Sequence, residues 1–268
     1  MRFVGCILLL CGMFFQDMVR GAEKNTKRVR WRDHLTVCPV CRKKIYFAEP
    51  DEDRKNPPSA RDPLASALFL REHDVHPKAI WMCPVCGYTA MFDTFSRLSN
   101  TGRAAIVRSI KKLRPTQKED YYAALPIFIR LKNLYLCNKL RGLSAKQQLR
   151  CYLIGVFWAA KSRNKNLSKA LLDKARSAAE AYYSEAKGKA DVDGLLDQRE
   201  ALLWSGCVTY FSGDKSKAYD IMAKAAKVRP DPTVQLTPEQ TLRQREQNLF
   251  ISRYLRAIEK GVSVLKYQ

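Results

Sequence analysis

Two cysteine pairs carry the chemistry of this 268-residue chain: Cys38-Pro39-Val40-Cys41 and Cys83-Pro84-Val85-Cys86-Gly87. Two residues separate the thiols in each pair, so one tight turn points both sulfurs at a single centre. Four thiolates at tetrahedral corners, about 2.3 Å from the ion, make a closed zinc site. No ligand position remains open for water, so Cys38, Cys41, Cys83 and Cys86 are expected to hold one structural Zn²⁺ that fixes a fold and does not catalyse. A second chemistry uses the same residues. In an oxidising compartment each pair could close as a disulfide and exchange it, which would make the chain a thiol–disulfide redox protein.

Other reactive residues are few. His34, His73 and His76 are the only histidines. His73 and His76 precede the second pair and could replace a thiol or hold another metal, but with four cysteines already present surface positions are the expectation. Beyond the pairs and Cys6 and Cys11 near the N-terminus, the cysteines are Cys137, Cys151 and Cys207. The seven that follow Cys11 are odd in number, so a complete disulfide framework within one chain is excluded, and the last three read as small buried hydrophobes. There is no His-Glu-x-x-His, no Gly-x-Ser-x-Gly and no phosphate-binding Gly-Lys-Ser/Thr loop, so the chain reads as no enzyme and no small-molecule substrate is expected.

The elements that must position the thiols are short β-prone runs. Leu35-Thr36-Val37 leads into the first pair and Ile45-Tyr46-Phe47 leaves it; Ala79 to Met82 leads into the second and Tyr88 to Phe92 leaves it. Turns of this kind between such runs are the hairpins of a zinc ribbon, here assigned to residues 35–98. Pro39 and Pro84 preset φ within the turns, and Gly87 permits a positive φ after the last thiol. The 41 residues between the pairs exceed the usual spacing. They contain the polar stretch Glu49 to Ser59 and a possible short helix over Leu64 to Leu70.

From about residue 100 the apolar period becomes 3.6, and residues 99–268 read as a helical domain. Leu149, Leu153, Val156, Phe157 and Ala160 form one stripe. Leu167, Leu171, Ala175, Ala178 and Tyr182 form the next. Residues 199–232 fit a tetratricopeptide repeat, with Gly206 where two helices approach, Gly213-Asp214 in the turn and Ala218 and Ala225 as small contacts. Residues 147–187 have the shape with less of the signature. Thr237-Pro238-Glu239-Gln240 is a capping box with Pro at N1, opening a long last helix. The fold class is therefore mainly α with a small β module: a four-cysteine zinc-ribbon-like module followed by antiparallel helical hairpins of tetratricopeptide-like type.

The N-terminus reads as a targeting segment. Arg2 is followed by an apolar run, Phe3 to Phe15, and by Val19-Arg20-Gly21, so residues 1–21 are assigned to a signal peptide too short to span a bilayer comfortably. Export to the periplasm or cell envelope is the expectation. The cations of the basic linker 22–34 count the other way and keep a cytoplasmic location as the alternative. Formal net charge is +22 with an isoelectric point near 9.8, a field that attracts polyanions such as nucleic acid or an anionic envelope surface. Trp31 among arginines could stack on a base; as a tail or the entry to the first strand it needs no ligand.

Together these residues resemble a bacterial family known as domain-of-unknown-function family 2225. Its pattern is an early Cys-Pro-x-Cys and a later aromatic-x-Cys-Pro-x-Cys-Gly-Tyr-x-Ala, followed by an Asp or Phe and a tail of repeat-like helical hairpins. Cys38-Pro39-Val40-Cys41 matches the first. Trp81-Met82-Cys83-Pro84-Val85-Cys86-Gly87-Tyr88-Thr89-Ala90, followed by Phe92-Asp93, matches the second. The likeness covers about residues 35–265 and implies a metal site and helices, and no reaction.

Three functions follow from this reading. The first is an exported, zinc-stabilised interaction scaffold whose helical hairpins offer a groove to a protein or peptide, with Trp158, Tyr182, Tyr183 and Trp204 facing it. The others are a nucleic-acid-binding zinc-ribbon protein and the redox protein described above.

Overall fold

The computed structural model describes residues 30–51, 61–115 and 119–266. The signal-peptide assignment, Cys6, Cys11 and residues 22–29 of the linker lie outside the described residues.

Strand β1 (Trp31–Val37) pairs antiparallel with β2 (Lys44–Pro50), with Leu35 opposite Tyr46 and Val37 opposite Lys44. Strand β3 (Ile80–Met82) pairs antiparallel with β4 (Thr89–Met91), with Ile80 opposite Met91. Each two-stranded hairpin closes on a cysteine turn, as the flanking runs predict. β1 starts at Trp31, within the stretch assigned as linker. Trp31 stacks on His76 at 4.5 Å between ring centroids and meets Phe92 edge-on at 5.9 Å, so it packs the module. The hairpins are joined by aromatic burial: Phe47 lies flat on Trp81 at 4.5 Å and 8°. The Trp81 indole N–H donates to the Ala48 carbonyl at 2.9 Å, and the Tyr122 hydroxyl accepts from the Ala48 N–H at 3.3 Å.

Between the pairs lie two short helices, α1 (Pro63–Ala67) and α2 (Glu72–Val75). Asp62 caps α1 through the Leu64 N–H at 2.9 Å. α1 ends in a Schellman motif: Leu70 N–H reaches the Ala65 carbonyl (3.0 Å) and Phe69 N–H the Ser66 carbonyl (3.1 Å). The left-handed position, usually glycine, is Phe69 at φ 55°. That backbone costs a non-glycine residue roughly 1–2 kcal/mol. The ring offsets it by packing against Phe250 at 4.8 Å and Trp204 at 6.3 Å.

The remaining helices are α3 (Asn100–Arg108), α4 (Ile110–Leu113), α5 (Ile127–Arg141), α6 (Ala145–Lys161), α7 (Lys165–Lys187), α8 (Val192–Phe211), α9 (Lys215–Lys227) and α10 (Pro238–Glu259). Ser99 caps α3, its Oγ accepting the Gly102 N–H at 3.1 Å. The capping box at Thr237 and Gln240 forms as the sequence predicts. α6–α7 and α8–α9 are the expected hairpins. In the sharper one, Gly206 packs against Met222, and a Cβ there would lie 2.7 Å from Met222 Cε, so a larger residue would make that flexible side chain move. No helix among the described residues is long and apolar enough to cross a membrane.

Ribbon and helices share one core, and the chain from Trp31 onward forms a single compact unit. The reason is the segment between the cysteine pairs. It lies against α6 and α8, the first helices of the two hairpins, and against the last helix, α10. On α6, Lys161 Nζ pairs with Asp62 at 2.5 Å, and Arg150 reaches Asp74 (Nε, 3.0 Å) and Asp93 (Nη1, 2.9 Å). On α8, Trp204 meets Phe69. On α10, the Tyr254 hydroxyl donates to the Ala67 carbonyl at 2.6 Å, Arg253 donates to Ser66 Oγ at 2.8 Å, and Glu246 receives both arms of Arg71. The protein's own insertion therefore occupies this face, where Trp204, one of the four residues expected to line a groove, meets it through Phe69. Trp204 and Tyr182 are buried, with the Tyr182 hydroxyl donating to Asp197 at 2.8 Å, and Trp158 and Tyr183 pack half-buried against the core.

Candidate metal centre

The two cysteine turns have the same backbone. In the first, Cys38 N–H donates to Lys43 O (2.9 Å) and Arg42 N–H to Cys38 O (3.0 Å). In the second, Cys83 N–H donates to Tyr88 O and Gly87 N–H to Cys83 O, both at 2.8 Å. The residue after the second thiol is left-handed in both, Arg42 at φ 65° and Gly87 at φ 78°. This geometry lifts both sulfurs of a turn to one side.

The turns face each other and bring all four sulfurs together, within 4.8 Å of one another. Sulfurs pair between the turns: Cys38 to Cys86 at 3.7 Å and Cys41 to Cys83 at 3.6 Å. A tetrahedron with metal–sulfur bonds of about 2.3 Å has edges of about 3.8 Å, so the spacing matches thiolates around one ion. Disulfide sulfurs lie about 2.05 Å apart. The four cysteines could thus hold a metal ion as one set. Their electrostatics fit that role. S–H donation from Cys83 and Cys86 draws the Cys38 thiol down against the effect of burial, and sharing with Cys38 pushes Cys83 and Cys86 up.

One face of α5 supports the second turn. Arg130, Asn133, Cys137 and Arg141 stand at helical offsets of 0, 3, 7 and 11, and each binds backbone of the module. Buried Arg130 donates to the carbonyls of Leu125 (3.0 Å), Ile80 (3.2 Å) and Pro77, with no carboxylate, and burial draws its guanidinium down to about 10. Asn133 Nδ2 bridges Gly87 O (3.1 Å) and Leu113 O (2.6 Å). The Cys137 sulfur accepts from Thr89 N–H at 3.3 Å. Arg141 donates to Thr94 O and Arg97 O, both at 2.9 Å. None of the four is evident from apolar periodicity, but polar residues recurring at that spacing inside a buried helix are a usable signal.

No histidine joins the sulfur set. His34 is exposed, as expected; His73 is buried with its Nε2 3.4 Å from Asp74, against the expectation of a surface position. His76, half-buried against Trp31, accepts Lys78 N–H at Nδ1 (3.2 Å), and burial lowers its pKa to about 4. Cys137, Cys151 and Cys207 are buried free thiols, and burial pushes all three up, the first two to about 11.

Two cysteine turns sharing one centre, followed by stacked helical hairpins, define a ribbon-plus-repeat protein with a sulfur site. Residues 32–248 match the model of the family described as uncharacterized protein conserved in bacteria (DUF2225), and the chain belongs to that family. No curated protein and no solved structure matches the chain.

Proposed function

We propose that the four cysteines hold one structural zinc ion and that the protein is an exported interaction scaffold. The observation that carries the metal reading is the pairing of sulfurs between turns at 3.6 and 3.7 Å. An all-thiolate tetrahedral set suits zinc, and all four positions are protein ligands, so the ion clasps the turns and activates no water. Cys41 and Cys83 are separated by 42 residues. Closing a loop of that length by a cross-link contributes roughly 4 kcal/mol through the unfolded chain alone. Redox exchange would need each pair to collapse onto itself and give up the shared centre. The scaffold reading draws support from the helical-hairpin architecture, with the partner surface displaced from the occupied face to the outside of the molecule. The basic surface favours an acidic partner.

Metal analysis with intact-mass alkylation of the purified protein tests the metal reading. One zinc per chain, with Cys38, Cys41, Cys83 and Cys86 protected from alkylation until the metal is chelated, is the expected result. Two disulfides and no metal would favour the redox protein. A secretion reporter fused to residues 1–30 tests export, and cytosolic retention would restore the nucleic-acid alternative.

A further inference from the structure

With the helical face occupied, the open edge of the ribbon is the strongest remaining candidate surface. In an antiparallel pair, opposed residues alternate between exchanging hydrogen bonds and pointing their N–H and C=O groups outward. Cys38 N–H bonds Lys43 O, and the register places Val37 opposite Lys44. Val37, Leu35 and Asp33 therefore point their backbone groups away from β2. The partner strand shows the same phase: Ala48, opposite Asp33, spends its N–H and C=O on Tyr122 and Trp81. At Ala48 that edge of β2 is thus covered by side chains, and no described residue bonds the outward backbone groups of Asp33, Leu35 or Val37.

The face beside this edge is apolar. Leu35 and Val37 project to the same side, and Tyr46 stands opposite Leu35 on that side. They are 44 %, 46 % and 60 % exposed, and Val85 at the tip of the second cysteine turn is 49 % exposed. Tyr46, Pro84 and Val85 line a depression of about 270 Å³, with Glu119 and Asp120 also on its wall. Exposed Arg42, Lys43 and Lys44 stand at the tip of the hairpin. Natural edges are usually blunted by charge, proline or a bulge, and the Leu35–Val37 half of β1 has none of these.

We infer that β1 takes up an extended peptide as an added strand, one with apolar side chains at alternate positions and a carboxylate at the end nearest Arg42–Lys44. The inference rests on the reading of the chain as an interaction protein and names its partner's chemistry. Outward N–H and C=O groups supply main-chain bonds, and the added strand's alternate side chains cover Leu35 and Val37. A second copy of the chain is disfavoured by the repulsion between two molecules of charge +22. Nucleic acid is disfavoured because the patch is largely aliphatic and the carboxylates of Glu119 and Asp120 stand beside its one aromatic.

The test uses the full, zinc-loaded protein and a fluorescein-labelled peptide, Thr-Val-Thr-Val-Thr-Val-Asp-Asp, read by anisotropy. Saturable binding is expected, lost when the valines are replaced by serine. Leu35→Pro deletes an outward N–H and leaves the β1–β2 ladder intact. It should weaken binding at least about tenfold, equivalent to about 1.4 kcal/mol, with zinc content and melting unchanged. Val37→Glu, which puts a like charge beside the peptide's acidic end without touching the backbone, gives the same loss even if the proline variant misfolds. Unchanged affinity in Val37→Glu overturns the inference, as does absence of peptide binding by the native sequence. So does preferential binding of a twelve-nucleotide single-stranded DNA. Any of these with zinc still bound would leave the metal reading standing, whereas a chain that carries no zinc fails at that earlier reading.

Discussion

At Cys38–Arg42 and again at Cys83–Gly87 the chain makes one turn twice, with the same Cys-Pro-Val-Cys sequence, the same pair of backbone bonds and the same left-handed fifth residue. The surroundings differ. The first turn ends at the surface, with Arg42 and Lys43 exposed although Val40 within it is buried. The second carries Val85 exposed at its tip but ends sunk against the helices: a Cβ on Gly87 would sit 1.9 Å from the Leu113 carbonyl oxygen, and Asn133 ties Gly87 and Leu113 together. The contrast teaches that the thiols dictate the shape of the turn and the environment dictates which residue may complete it. Arginine at the exposed end tolerates a positive φ at modest cost; at the buried end only glycine meets both the φ and the space.

The largest test of this contrast removes the proposed zinc ion. Binding of a structural zinc is worth on the order of 10 kcal/mol, comparable with the whole stability of a domain. Chelation should therefore abolish the cooperative melt of the native protein. Hydrogen exchange during mild chelation should open Cys38–Lys43 before Cys83–Tyr88, because only the second turn has α5 behind it. Simultaneous opening would erase the distinction. Next in size is Gly87→Ala, which adds left-handed strain to a backbone clash and should cost more than about 3 kcal/mol in denaturant unfolding. Asn133→Ala follows, at about 1–3 kcal/mol, since it strips a donor from two buried carbonyls. Smallest, and opposite in sign, is Arg42→Gly, expected to raise stability by up to about 1 kcal/mol by relieving φ strain, net of the added freedom of the unfolded chain. A melting temperature lowered by Arg42→Gly would mean that its side chain does more at the tip than the turn requires.

Much of this architecture could be read from residue types. The thiol spacing located the sulfur set, and apolar offsets located both helical hairpins. Gly206 and the Thr237 capping box marked the contact and the helix start they form. What could not be read were long-range polar contacts. The 0, 3, 7, 11 stripe on α5 is invisible to a search for apolar faces, because Arg130 and Asn133 are buried by satisfying carbonyls and not by being hydrophobic. His73 looked like a surface residue for the same reason: its partner, Asp74, is itself buried by Arg150 from α6. Between the cysteine pairs, residue types suggested a polar stretch and a short helix over Leu64 to Leu70, but not what that helix would lie on. Leu68, Ala65 and Ala67 within it are fully buried, a fate set by helices far along the chain.

Those distant partners have a kinetic meaning. The Tyr254–Ala67 bond spans 187 residues and the Arg71–Glu246 pair 175. A chain growing from its N-terminus can form both cysteine turns early, yet the piece between them has nothing to lie on until α10 is made. Contacts of such separation are slow to close. A product truncated before residue 238 would keep its sulfurs and expose Phe69, Leu68 and Trp204 together. The last helix thus acts as the latch of the molecule, and nascent chains lacking it are the ones a quality-control protease or chaperone would engage first.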